Sequence, residues 1–171
     1  IPGTENQGCA GLNILLITDP YLELYRVIES ELSSQGHSVT VLIESIPAKD
    51  PYYKINISVM RVIRKAAYRV FGIRANYWRR LAAKNPNISC EYDLLFCIQG
   101  GTFDPWLLRH LRRYNPKIKS VLYVWDTNRR YDFFRNASFF DKVYSFDMRD
   151  VKEAGCGKIR YLPFFWPKTI E

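Results

Sequence analysis

The sequence predicts a doubly wound α/β domain: a mostly parallel sheet of five to six strands with helices on both faces. Short apolar runs recur along the chain, and segments with the apolar spacing of amphipathic helices separate them. The chain has 171 residues, of which 47% are hydrophobic, and this is enough for one domain with a core of its own.

The first strand–helix–strand unit is read from the amino-terminal third of the chain. Residues 13–19 (NILLITD) form an uninterrupted apolar run, which is typical of a strand buried on both faces. Pro20 is predicted to start a helix, because proline is tolerated in the first turn, and the helix extends over residues 21–35 and ends at Gly36. Residues 37–45 are predicted as the second strand.

Strands and helices alternate again in the second half of the chain. The predicted strands are residues 92–99, 118–126, 142–147 and 159–165, the last weakened at its end by Pro163. The predicted helices are residues 103–114, 129–140 and 148–154. Gly155 is expected to end the last of these helices.

The domain is predicted to span residues 12–167, with a basic helical insertion at 51–85 that Gly72 divides in two. Residues 1–11 are polar and lack periodicity, so they are expected to be a flexible lead or a cloning remnant. Residues 168–171 are expected to start a linker.

Composition restricts the chemistry without choosing a partner. The net charge of +8 attracts anions, and nucleic acid, anionic lipid and phosphorylated ligands all remain open. The four cysteines form no C-x-x-C pair and there are only two histidines, so no metal site is expected. Cys97 lies in an apolar run and is predicted to be a buried thiol, which favours a reducing, cytoplasmic setting.

Two common nucleotide-binding motifs are missing from the sequence. The first strand is followed by Asp-Pro-Tyr and not by G-x-G-x-x-G, and no P-loop occurs, so classical NAD or ATP binding is not expected. Gln99 stands where a phosphoacceptor receiver domain needs an aspartate. Glu23 and Glu31 form an E-x7-E spacing that is interpreted as a solvated helix face.

Polar residues follow several predicted strands, and ligands of open parallel sheets bind beyond the carboxyl ends of the strands. These candidate residues are Asp19, Gln99, Gly100, Gly101, Trp125, Asp126 and Asp147. Each aspartate has an alternative role as the N-cap of the next helix. Asp126 is the stronger functional candidate because it follows Tyr123 and Trp125, two aromatic residues that either belong to the core or stack on a sugar ring.

The segment YVWDTNRRYDFFRNASFFDKVYSFDMRDVKEAG, followed by IRYLPFFW, resembles the N-terminal domain of bacterial GT-B glycosyltransferases, specifically the CgeB-like and lipopolysaccharide core or capsule types. The strands NILLITD and DLLFCIQGG fit the same pattern, so the resemblance covers most of residues 13–166. It implies a Rossmann-like domain that binds a glycan or lipid-linked acceptor. The nucleotide-sugar donor is then expected in a second domain, and no cofactor is expected in this one.

The resemblance also implies roles for the polar residues at the strand ends. Asp126, or else Asp19, is expected to be the base that deprotonates the acceptor hydroxyl. Acceptor binding is expected of Gln99, Gly100, Gly101, Trp125 and Asp147. The competing class of function is a non-catalytic Rossmann-like module that docks a protein partner or an anionic surface.

The 51–85 stretch carries nine basic residues, and no acid occurs between Asp50 and Glu91. One interpretation is an ordinary helix with a solvated basic face; another is attachment to an anionic membrane, on the inner face of which the protein would be peripheral. The residues assigned to that surface are Arg61, Arg64, Lys65, Arg69, Arg79 and Arg80. Nucleic acid is the least favoured partner, because the stretch contains no nucleic-acid-binding module.

Overall fold

A computed structural model describes residues 11–20, 23–43, 73–99, 103–128, 133–155 and 157–164. The strands are β1 (Asn13–Thr18), β2 (Ser38–Ile43), β3 (Leu94–Ile98), β4 (Lys119–Val124), β5 (Lys142–Ser145) and β6 (Ile159–Tyr161). The helices are α1 (Leu24–Ser34), α2 (Ile73–Lys84), α3 (Pro105–Leu111), α4 (Phe134–Ala137) and α5 (Met148–Ala154), and a 3₁₀ helix covers Pro86–Ser89.

The six strands form one sheet in the order β2-β1-β3-β4-β5-β6, and all neighbouring pairs are parallel. This confirms the doubly wound α/β fold class, with the sheet wholly rather than mostly parallel. The chain reverses its direction of travel across the sheet between β1 and β3. Such a reversal leaves a crevice at the carboxyl ends of those two strands, where open α/β sheets bind ligands.

One face of the sheet carries most of the core. Four described helices, α2 to α5, pack on it, and their apolar residues meet alternate residues of the strands such as Leu15, Leu95, Cys97 and Leu122. Cys97 is fully buried there, as its apolar run predicted. The connection from β1 to β2 moves toward one edge of the sheet, and the connections that follow β2 move toward the other edge. Because parallel crossovers are right-handed, a connection in the reverse direction places its helix on the reverse face, so α1 lies on the face opposite to α2 to α5.

The face under α1 has a smaller core. Its buried residues are Leu16, Ile28, Ile98 and Tyr123, and half-buried aromatic residues including Phe96 pack around them. Helices therefore cover both faces of the sheet, but unequally among the described residues.

The predicted start of the first helix is wrong. The helix begins at Leu24, and not at Pro20, because Glu23 adopts a left-handed φ of 53° that breaks the helical path just before it. The backbone N–H of Glu23 donates to the carbonyl of Pro20 at 3.4 Å, so Pro20 opens a turn that precedes the helix. Proline suits a turn as well as a first helical position, and the sequence pattern did not separate the two.

Other element ends are closer to prediction. Gly36 and Gly155 follow α1 and α5 with φ of 87° and 64°, the left-handed conformation in which glycine ends helices. The helix predicted at 103–114 is confined to Pro105–Leu111, and of the helix predicted at 129–140 the described part is Phe134–Ala137. The last strand stops at Tyr161, two residues before Pro163, which lacks the N–H that a ladder needs.

The basic insertion is described only in part. The second of its two predicted helices corresponds to α2 (Ile73–Lys84), while Gly72 and the basic residues Arg61, Arg64, Lys65 and Arg69 lie outside the described residues. Trp78 of α2 is completely buried in the larger core, so this aromatic residue holds the helix against the sheet. Within the described residues, none of the helices has both the length and the hydropathy that crossing a bilayer requires.

Gly11, assigned by its sequence to the flexible lead, lies against the turn that ends α1. A Cβ atom added at Gly11 would lie 2.0 Å from the carbonyl oxygen of Gly36. The next residue is also tied to this turn, because the backbone N–H of Leu12 donates to Nδ1 of His37 at 3.2 Å. The ordered structure thus extends at least one residue before Leu12.

Candidate functional site

The carboxyl ends of β1, β3, β4 and β5 place polar residues along one edge of the sheet. Thr18 ends β1 and Asp19 follows it, Gln99 directly follows β3, and Asp126 lies two residues after β4. Asp19, Gln99 and Asp126 are all half-buried, so each is held by the protein while part of it remains accessible to a ligand. This edge includes the point where the strand order reverses, which is where open α/β sheets bind ligands.

Gln99 has an unusual backbone conformation. Its φ is 65°, in the left-handed region that residues other than glycine, asparagine and aspartate rarely adopt. The backbone N–H of Gln99 still donates to the carbonyl of Tyr123 at 2.9 Å, so the strand remains paired up to this residue. Non-glycine residues with such φ values concentrate at functional sites, where surrounding contacts hold them in place.

The side chain of Gln99 provides those contacts. Its Nε2 donates to Oδ2 of Asp126 at 2.9 Å, and its Oε1 accepts from the backbone N–H of Trp125 at 3.2 Å. A flipped amide would place an oxygen against a carboxylate and an N–H against an N–H, so the two partners define the orientation of the amide. Gln99 therefore connects β3 to the residues after β4 and holds the Asp126 carboxylate in position.

The N-cap alternative is confirmed for one of the three aspartates. Asp147 is an N-cap: its Oδ1 accepts from the backbone N–H of Arg149 at 2.9 Å, and the Arg149 guanidinium binds both of its carboxylate oxygens. The helix after Asp19 has Glu23 at its N-cap position, and the helix after Asp126 has Phe133 there. Neither Asp19 nor Asp126 is therefore the N-cap of α1 or α4, and Asp126 is the one that the Gln99 amide orients.

Asp19 and Asp126 do not belong to one compact pair. Strand β3 lies between the strands that carry them, so these strands are about 10 Å apart. Gln99 follows β3, so it lies between the strand that precedes Asp19 and the strand that precedes Asp126. A substrate that contacts both aspartates would have to extend across the end of β3.

The two aromatic residues at the end of β4 both contact the smaller core, but to different depths. Tyr123 is 1% exposed and belongs to the smaller core; burial raises its pKa to about 12, and its hydroxyl donates to the carbonyl of Pro163 at 3.3 Å. The core alternative is thus correct for Tyr123. Trp125 is half-buried and meets the ring of Phe164 edge to face, with 6.1 Å between the ring centroids.

Asp150 was not singled out from the sequence, although it supports the same edge of the sheet. It is 2% exposed, and its Oδ2 accepts from the backbone N–H of Asn128 at 3.0 Å and from Oγ of Ser145 at 3.2 Å. These bonds attach the loop after Asp126 to the end of β5. In the sequence, Asp150 reads as an ordinary acid in the first turn of a helix, and only its position three residues after an N-cap hinted that it faces the strand ends.

The remaining predicted site residues either lie outside the described residues or lie away from this edge. Gly100 and Gly101 lie outside the described residues. Of the basic residues assigned to an anionic surface, Arg79 and Arg80 are described and exposed, and the Arg79 guanidinium lies 5.8 Å from the centroid of the Trp106 ring. The described part of the chain contains no group of three His, Cys, Asp or Glu side chains placed to hold a metal ion.

The arrangement at the strand ends is thus an oriented, half-buried carboxylate that follows a half-buried tryptophan in the chain, at the edge where open α/β sheets bind ligands. Such a carboxylate can accept a proton or hydrogen bonds from a hydroxyl group, and the ring can pack against an apolar face. Comparison with protein-family models, with curated proteins and with solved structures finds no match for this chain.

Proposed function

We propose that this chain is the acceptor-binding domain of a glycosyltransferase that moves a sugar from a nucleotide-sugar donor to a glycan or a lipid-linked acceptor. A second domain would hold the donor. The observation that supports this most is the Asp126 carboxylate, which Gln99 orients at 2.9 Å and which directly follows the half-buried Trp125 in the chain. A sugar hydroxyl at Asp126 and a sugar ring face on Trp125 would use both groups.

In an inverting reaction the roles of these residues can be stated. The Asp126 carboxylate takes the proton of the acceptor hydroxyl while that oxygen bonds to the anomeric carbon. The bond from the anomeric carbon to the nucleoside diphosphate breaks, and the diphosphate leaves with the electron pair. Gln99 keeps the carboxylate pointed at the hydroxyl, and Asp19 lies on the far side of β3 as the second candidate base.

The test is turnover by the protein that carries this chain, assayed as nucleoside diphosphate released from UDP-glucose, UDP-galactose and GDP-mannose with a panel of saccharide acceptors. Asp126→Asn keeps the shape of the side chain and an acceptor for Gln99, and we expect it to lower kcat by about 100- to 10,000-fold. Glu153→Gln, which neutralises an exposed acid on α5, is the matched control. Turnover by Asp126→Asn close to that of the control would eliminate Asp126 as the base.

The membrane contact is a separate part of the proposal. A cytoplasmic enzyme with a lipid-linked acceptor would gain from attachment to the inner face of the membrane, and the exposed Arg79 and Arg80 support such a contact. Sedimentation with phosphatidylglycerol vesicles, but not with phosphatidylcholine vesicles, is the expected result, and Arg79→Glu with Arg80→Glu should reduce it. Equal sedimentation with both lipids, or with neither, would contradict an electrostatic membrane contact.

A non-catalytic module that docks a protein partner is the second candidate function. One observation favours it: four large apolar side chains near the carboxyl ends of β5 and β6, namely Met148, Tyr161, Leu162 and Phe164, are 39 to 46% exposed. Exposed apolar groups that cluster in this way mark interaction surfaces. Partner capture that Leu162→Asp abolishes, together with no diphosphate release from any donor, would favour the module over the enzyme.

A further inference from the structure

A second concave surface lies between α3 and the turn that follows α4. It is an open groove with a volume of about 310 Å³, near the lower limit of small-ligand sites. Its far wall is residues 138–141, directly before β5, and therefore reaches the amino ends of the strands. The candidate acceptor site lies at the opposite, carboxyl edge, so this groove is a different place on the molecule.

One wall of the groove is strongly basic. Arg109 and Arg112 are three residues apart at the carboxyl-terminal end of α3, which places them on one side of the helix, and both are exposed. Neither arginine forms a salt bridge with a residue in the described part of the chain. Two guanidinium groups side by side present fixed forks of N–H donors that match carboxylate or phosphate oxygens, and a phosphate group has enough oxygens to accept from both forks.

The other wall offers a hydroxyl, a ring and a carboxylate. Ser138 is exposed, and Phe139 is 39% exposed although it is a large apolar residue. Asp141 is held firmly, because its Oδ2 accepts from the backbone N–H and from Oγ of Ser120 at 2.8 and 2.9 Å. A carboxylate retains further lone pairs after two such bonds, so Asp141 can still accept a hydrogen bond from a ligand.

The two walls together define a ligand with two unlike ends. The carboxylate of Asp141 repels a second anion, so the negative group belongs at Arg109 and Arg112 and a hydrogen-bond donor belongs at Asp141. The exposed Phe139 ring suits a C–H face between the two ends. We propose that this groove binds a phosphorylated sugar or polyol, with its phosphate on the two arginines and a hydroxyl on Asp141.

An anionic membrane surface fits this groove less well, although a lipid headgroup also carries a phosphate. A bilayer would bring many negative charges toward Asp141, and a flat surface does not fill a concave site. The proposal goes beyond the acceptor site and does not depend on glycosyl transfer, because it concerns binding alone at the opposite edge of the sheet.

The test is isothermal titration calorimetry of the 171-residue chain with glucose 6-phosphate, inorganic phosphate and glucose at low ionic strength. Glucose 6-phosphate is expected to bind saturably and more tightly than inorganic phosphate, and glucose is expected to bind too weakly to detect. Arg109→Gln with Arg112→Gln should weaken glucose 6-phosphate binding by about tenfold or more. Asp141→Asn should weaken glucose 6-phosphate binding but should not weaken the binding of inorganic phosphate, which loses only the repulsion of the carboxylate.

The matched control is Lys152→Gln with Lys158→Gln, which removes the same two charges from exposed positions on α5 and the turn after it. Equal weakening by the control pair and the arginine pair would overturn the proposal, since it would mean attraction by net charge alone. Equal affinity for glucose 6-phosphate and inorganic phosphate would also overturn it. Phosphatidylglycerol vesicles that bind through Arg109 and Arg112 without any binding of glucose 6-phosphate would assign the groove to a lipid headgroup instead.

Discussion

Replacing Gln99 separates two contributions that this residue makes to the carboxyl edge of the sheet. Its side chain holds Asp126 and the backbone of Trp125, while its backbone occupies the left-handed region at a φ of 65°. Gln99→Ala removes the hydrogen bonds and keeps the unfavourable backbone conformation. Gln99→Gly removes the same bonds but allows that conformation without a steric cost.

The magnitude follows from the two bonds that are lost. A hydrogen bond to an ionised carboxylate contributes about 1.5 kcal/mol or more, and the bond from Trp125 contributes about 1 kcal/mol. Because the cluster is half-buried, water replaces part of both, and we expect Gln99→Ala to lower the free energy of unfolding by about 2 kcal/mol. The left-handed backbone costs a non-glycine residue about 1 to 2 kcal/mol, while the greater freedom of unfolded glycine offsets part of the gain. Gln99→Gly should therefore be more stable than Gln99→Ala by about 0.5 to 1 kcal/mol.

Equilibrium unfolding in urea measures both differences, provided that the slope of free energy against urea is unchanged. Gln35→Ala is the matched control, because Gln35 makes its side-chain bond to Glu31 on the exposed surface of α1 and should change stability by less than about 0.5 kcal/mol. If Gln99→Ala proves as stable as Gln99→Gly, or more stable, Gln99 does not carry backbone strain. A loss no larger than that of Gln35→Ala would mean that its side chain does not hold Asp126.

Three other substitutions have defined outcomes. Burial raises the pKa of Tyr123 to about 12, so its contribution to stability is present below pH of about 10 and is lost as the pH rises to about 12. Between those pH values the free energy of unfolding in urea should decline less for Tyr123→Phe than for the unsubstituted chain. An equal decline in the two proteins would contradict this prediction. Burial and the nearby charge of Arg113 lower the pKa of His110, so stability should fall as the pH drops below about 6.5, and His110→Phe should remove this fall in the same assay. Gly11→Ala should lower the free energy of unfolding by about 1 to 3 kcal/mol, because its Cβ would meet the carbonyl of Gly36 at 2.0 Å; an unchanged urea midpoint would show that this close approach does not stabilise the domain.

The strands and most helices could be predicted because burial requires apolar residues at regular spacings within each element, and these spacings are visible in the sequence. The run NILLITD is apolar throughout, as a strand covered on both faces must be, and the structure places β1 in the interior of the sheet. The start of α1 could not be predicted in this way. Pro20 is compatible with a turn and with a helix, and the left-handed conformation of Glu23, which decides between them, leaves no signal in the sequence.

The candidate site, like the fold, was predictable from the sequence in part. That polar residues gather beyond the carboxyl ends of parallel strands follows from the order of residues alone, and Asp126 was selected on that ground. The sequence offered the same N-cap alternative for Asp19, Asp126 and Asp147. Contacts across the sheet separate them, because Asp147 caps α5 while Asp126 binds Gln99, a residue 27 positions earlier in the chain.

The chain's own pattern therefore establishes the class of fold, the approximate strands and the edge where a ligand would bind. The packed structure was needed to show which carboxylate is oriented, that Asp150 supports the loop beside it, and that Trp78 and Tyr123 belong to the core. The physical reason is the range of the interactions. Apolar periodicity reflects burial and repeats every few residues, whereas the hydrogen bonds of Gln99 and Asp150 join residues that become neighbours only when separate strands come together in the sheet.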